Sequence, residues 1–108
     1  MKDKHSTAVS ELDEASLLLR AMSASIRLKI IEALLAGERR GPELLAHTGA
    51  RQPNLSMHLA LLHEAGIVSR RRDGRSVRYG LADSCRARAC RKLFELSGLR
   101  APQGQSAP

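Results

Sequence analysis

Five arginines fall within nine residues in RRRDGRSVR: Arg70, Arg71, Arg72, Arg75 and Arg78. Guanidinium groups held this close repel one another, a cost that an anion relieves, and a track of phosphates is the natural anion. A charged strand edge that only guards against aggregation needs one or two such residues. Just upstream, in RQPNLSMHLALL, lie side chains that read base edges. Asn54 has the amide for a bidentate pair with adenine, Ser56 a hydroxyl for base or phosphate, and Met57 and Ala60 apolar contact for a thymine methyl. Arg51 and Gln52 precede them, where phosphates approach a helix start.

The other reactive side chains are two cysteines, Cys85 and Cys90. On one helix they stand about 7.5 Å apart along the axis and about 140° apart around it, so a single helix cannot let them share a metal or a disulfide. If the last helices of a dimer pack antiparallel, Cys85 approaches Cys90 of the partner subunit, giving a site for a thiophilic metal ion or a redox-sensing bridge. The alternative is packing, with Cys85 a small core residue and Cys90 its partly buried neighbour. No Ser/His/Asp or Cys/His set, glycine-rich phosphate loop or pair of carboxylates in an apolar setting is present, so an enzyme is not expected.

With 108 residues the chain has room for one domain and one core. Lysine and arginine total 18 against 11 acids, a net charge of +7 that favours a polyanionic partner. Aromatic residues are only Tyr79 and Phe94, too few for the base-stacking platforms of single-strand binders, which leaves duplex DNA as the better fit. The charge is segregated: Glu11, Asp13 and Glu14 are early, while Arg86, Arg88, Arg91 and Lys92 add to the late basic cluster. No apolar run nears the roughly 20 residues of a membrane span, and the first residues lack a signal-peptide core, so a cytoplasmic protein with reduced thiols is expected.

The elements that must position these residues follow from spacing. Residues 1–10 read as a loose arm and 100–108 as a disordered tail. A first helix starts at Glu11 with the stripe Ala15, Leu18, Leu19 and Met22. A second, capped by Ser23 or Ser25, carries Ile26, Ile30, Ala33 and Leu34 and stops at Gly37. A short third helix runs from Gly41-Pro42 to Gly49, buried through Leu44 and Leu45, and a fourth from Pro53 to about Ala65 with Leu55, Leu59 and Leu62 inside. Strands 67–72 and 75–81 then flank Asp73-Gly74, a pair suited to a type I′ hairpin turn. A last helix over 84–98, capped by Asp83 or Ser84, has Cys85, Ala89, Leu93 and Leu96 in line. The result is a mostly α domain over 11–99, ordered α-α-α-α-β-β-α, in which a helix backed by leucines and a basic hairpin face the same partner.

Three segments, LLRAMSASIRLKIIEALLAGE, ELLAHTG and QPNLSMHLALLHEAGIVSRRRDGRSVRYGLAD, resemble the ArsR family of bacterial winged-helix repressors over about residues 15–95. The most specific parts are SMHLALLHEAGIV and the strand GRSVRYGL. The resemblance implies a winged helix-turn-helix homodimer, joined through its first and last helices, that binds a palindromic operator and leaves it when an effector binds or a thiol is modified. It also implies a role for His58, in orienting the reading helix or touching phosphate. Of the family's metal sites, the thiol pair before the reading helix is missing, since Leu44, Leu45 and His47 stand there. The site on the last helix is half present: Asp83 and Cys85 match, whereas Leu96 and Leu99 occupy the partner positions. The rival reading is a winged-helix protein–protein interaction module.

Overall fold

The computed structural model describes residues 11–98. The arm at 1–10, the tail at 100–108 and Leu99 lie outside the described residues. Along the chain run α1 (Glu11–Ala21), α2 (Ser25–Leu35), β1 (Arg39–Arg40), α3 (Gly41–Thr48), α4 (Gln52–Glu64), β2 (Val68–Asp73), β3 (Ser76–Leu81) and α5 (Cys85–Leu96). The expected order of five helices around a hairpin holds, with β1 as an addition. The strands form one antiparallel sheet in the order β1-β3-β2. Among the described residues no helix is long and apolar enough to cross a membrane.

Punctuation by proline, glycine and serine sets the helix ends. Pro42 lies in the first turn of α3, and Gly49 ends that helix at φ 73° with its N–H on the Leu45 carbonyl at 2.9 Å. The Glu43 carboxylate accepts the Arg40 backbone N–H at 2.7 Å, tying down the start of α3. Ser84 caps α5, accepting from the Ala87 N–H at 3.0 Å while its hydroxyl donates to the Gly66 carbonyl at 2.6 Å. At α2 the cap is Ala24, neither Ser23 nor Ser25. Ser25 is already helical, and the Ser23 hydroxyl turns back to the Arg20 carbonyl at 2.8 Å, closing α1 instead.

The hairpin turn lies one residue later than expected, which moves each cross-strand partner by two. Val68 pairs with Leu81 and Asp73 with Ser76, so the connecting pair is Gly74-Arg75, with Gly74 at φ 68°. Asp73 is drawn into the strand because its carboxylate takes Arg78 Nε at 2.7 Å and Arg40 Nη2 at 3.3 Å.

Ile30 and Ile31 of α2 sit at the centre of the core with Leu44, Leu55, Leu62, Ile67, Val68 and Cys90, all without exposed surface to speak of. This places α4 with its leucines inward, as expected. Helix α5 is rotated from the expected phase: Ala87, Cys90 and Phe94 are buried, whereas Cys85 is exposed, Ala89 and Leu93 are partly covered and Leu96 is 80% exposed. The helix carries two apolar stripes, and the one with Phe94 and its large ring takes the core. On α1 the expected stripe is also only half inside. Leu18 and Met22 pack, while Ala15 is exposed, and Leu12 and Leu19 stay 81% and 60% exposed.

Candidate nucleic-acid interface

Helix α4 buries Leu55, Leu59 and Leu62 and presents Gln52, Asn54, Ser56, Met57 and Ala60 to solvent. Gln52 Nε2 donates to Ser56 Oγ at 3.1 Å, so these two are aligned along one side of the first turns. Asn54 is exposed and bonds to no described residue, leaving both ends of its amide free. At the cap position Arg51 is extended and offers no side-chain cap, so the first N–H groups of α4 have no side-chain acceptor there. Those groups and the positive end of the helix dipole attract a phosphate.

His58 has a different setting from its neighbours. It is half-buried, and Arg27 Nη1 lies 2.9 Å from its Nδ1. A guanidinium only donates, so Nδ1 accepts and the ring proton sits on Nε2. Burial, and then the charge of Arg27, push the imidazole below its ordinary pKa. Arg27 in turn donates from Nε to the Ala21 carbonyl at 2.9 Å and from Nη2 to the Arg20 carbonyl at 3.2 Å. The end of α1, the start of α2 and the middle of α4 are joined through one side chain.

The five hairpin arginines divide into two sets. Strand alternation puts Arg70 and Arg72 on the face shared by their register partners Tyr79 and Val77, and Arg71 and Arg78 on the other. On that other face, Arg71 reaches Glu38 with Nη2 at 2.9 Å and Nε at 3.2 Å, and Arg78 and Arg40 share Asp73. Hydrogen bonding from Arg71 lowers the pKa of Glu38, and hydrogen bonding from Arg78 lowers that of Asp73. Arg70, Arg72 and Arg75 are exposed and meet no acid among the described residues, so their charge remains available to a phosphate. Sequence spacing makes all five alike and gives Glu38 no part. The one legible signal is Asp73, the sole acid inside the arginine run.

Within one subunit the thiols do not come together, as their spacing on a single helix requires. Cys85 is exposed, with Arg88 Nη2 3.5 Å from its sulfur, and Cys90 is buried, its pKa pushed up to about 11 by burial. This reverses the expected assignment of Cys85 to the core and Cys90 to its margin. Asp83, the other half of the matched metal pair, bonds Arg88 at 2.9 Å. Among the described residues no three His, Cys, Asp or Glu side chains are grouped to hold a metal, so the residues of one subunit do not fit such a site.

Residues 24–70 match the profile described as bacterial regulatory protein, arsR family. Over 88 residues the chain is 41% identical to the HTH-type transcriptional regulator CmtR of Mycobacterium tuberculosis, a match covering 80% of this chain and 75% of CmtR. It is also 41% identical over 71 residues to the "Probable mercury resistance operon repressor" of Streptomyces lividans, covering 66% of this chain but only 57% of that protein. Among solved structures it resembles the homodimeric winged helix-turn-helix DNA-binding domain of a possible ArsR-family regulator from Mycobacterium bovis. The TM-score is 0.75 at 26% identity, over 91% of this chain and 88% of that one.

Proposed function

This chain belongs to the ArsR family of bacterial regulatory proteins, and from that premise we propose that it is a homodimeric repressor of transcription, released from a duplex operator by an effector. The observation that carries the reading is the division of the hairpin: Arg70, Arg72 and Arg75 meet no acid among the described residues, beside a helix that turns Gln52, Asn54, Ser56, Met57 and Ala60 outward.

In this reading α4 lies in the major groove. Asn54 and Ser56 address base edges, Met57 and Ala60 offer contact to thymine methyls, and Arg51 and Gln52 meet phosphate at the helix start. The hairpin is the wing, whose free arginines follow the flanking backbone or the minor groove. Arg71 and Arg78 shape the wing, and His58 orients α4 through its bond to Arg27. The work is binding, in the cytoplasm, with no turnover.

The apolar residues left outside on α1 and α5, Leu12, Leu19 and Leu96, support dimerisation through these helices. A two-fold pair presents two reading helices about 34 Å apart, one turn of DNA, and doubles the phosphate contacts of a small domain.

The test is titration of fluorescent duplexes from the gene's own upstream region across a salt series. A repressor of this kind binds one palindromic fragment tightly and loses affinity steeply with salt. Absence of duplex binding even at low ionic strength overturns the reading and leaves the protein-interaction module in its place.

A further inference from the structure

A cleft of about 290 Å³ opens between α1, the second half of α4 and the start of α5. That is near the lower end of the roughly 300–1,000 Å³ typical of small-molecule sites. Its walls are apolar, formed by Leu17 and Ala21 on one side and Leu61, Leu62 and Ala65 on the other. Three arginines, Arg20, Arg27 and Arg86, reach its edge.

These arginines are not equivalent. Arg86 is neutralised by a two-pronged bond to Glu14 at 2.8 and 2.9 Å and also holds the Ala65 carbonyl at 2.8 Å. Arg20 has no side-chain partner among the described residues, and Arg27 bonds only to two carbonyls and to His58. Against these two charges, which no acid among the described residues pairs, stands one carboxylate, Glu64, that also has no partner among them. The cleft is therefore lined with hydrocarbon and carries one net positive charge, which suits a monoanion with an apolar body better than a polyanionic phosphate.

We propose that this cleft binds a small apolar carboxylate, held by Arg20 and Arg27 with its hydrocarbon between Leu17 and Leu61, and that its occupation loosens the reading helix. The inference rests on the repressor reading and names the chemical class of the effector. The coupling runs through Arg27. A carboxylate is a stronger acceptor for a guanidinium than a neutral imidazole nitrogen, so an anion in the cleft competes with His58 Nδ1 for Arg27. Once that bond is broken, α4 loses the polar tie from its middle to the end of α1 and the start of α2, and only its buried leucines still hold it to the core. Linkage then requires ligand and operator to weaken each other by the same factor, typically about 5–150-fold.

The experiment uses the full chain, its operator duplex, and benzoate and hexanoate as probes, with benzamide as the uncharged control. The expected result is a melting temperature that rises with benzoate or hexanoate, an operator affinity that falls within that range, and no effect of benzamide. Arg20→Ala abolishes the response and Arg20→Lys retains part of it. Three results overturn the proposal: no response to either carboxylate by a wild type that binds its operator, an equal response to benzamide, or protection of Leu17 and Leu61 by a second copy in the free dimer. A wild type that binds benzoate and ignores all duplexes leaves the cleft standing and refutes the repressor reading instead.

Discussion

Arg27 and His58, thirty-one positions apart in sequence, meet at 2.9 Å through Nη1 and Nδ1 on the inner side of α4, where burial and then the charge of Arg27 favour the neutral imidazole. Protonation of Nδ1 removes the acceptor and sets two positive charges against each other. Because the folded-state pKa lies below the ordinary 6.5, the contribution to stability is complete above that value and is lost as pH falls through it toward the folded pKa. Chemical denaturation at pH 7.5 and 5.5 is expected to show the wild type losing stability over this interval. His58→Asn, which keeps an acceptor near the position of Nδ1, loses less. The paired acids Glu14, Glu38 and Asp73, whose folded pKa values lie below the ordinary 4.5, 4.5 and 3.8, lose their contributions at lower pH and leave the window clear. Equal losses in wild type and variant would remove His58 as the titrating group.

The two sets of wing arginines are expected to make distinguishable contributions to DNA binding. Arg70→Ala, Arg72→Ala and Arg75→Ala each shallow the log–log salt dependence by about one unit, the share of a single neutralised phosphate. Arg71→Ala leaves that slope unchanged, because its charge already belongs to Glu38. Measuring all four slopes on one duplex decides the matter, and a drop for Arg71→Ala as large as the others contradicts the division.

Asn54 is exposed on the outward face of α4, its amide without a partner among the described residues. Its replacement by alanine is expected to relax preference at one base position, at a cost of about 1–3 kcal/mol in discrimination, with little change in salt dependence. Selection from a randomised duplex pool reads this directly, and an unaltered consensus eliminates Asn54 as a base reader.

Cys90 is fully buried among the apolar residues of the core. Cys90→Ser is expected to cost about 1–3 kcal/mol of stability by burying an unmatched polar group, while Cys85→Ser, on the exposed side of α5, changes it by less than about 0.5 kcal/mol. Urea midpoints at constant m-value measure both. A neutral Cys90→Ser variant would show that the hydroxyl finds an acceptor there, such as the helix carbonyl four residues back.

What was legible in the sequence was local. Pro42, Gly49, Pro53 and Gly74 mark their turns by backbone preference alone, and the spacing of Leu55, Leu59 and Leu62 decides which side of α4 faces out. What escaped depends on partners distant along the chain. The two-residue β1 has no alternation to detect, and it exists because Arg39 and Arg40 find Tyr79 and Arg78. The phase of α5 is ambiguous in sequence because either apolar stripe satisfies a helical period, and only the space around Phe94 chooses between them. The pairing of Arg71 with Glu38 joins residues thirty-three apart, so the arginine run by itself could not separate shaping charges from free ones.

Asp73 clasps Arg78 of its own hairpin and Arg40 at the doorstep of α3, so the wing is braced against the body of the domain before any DNA arrives. Such a brace settles the cost of ordering the loop in advance. Encounter with a duplex then resembles the seating of a rigid key, and the wing's grip is limited by how well the groove already fits it.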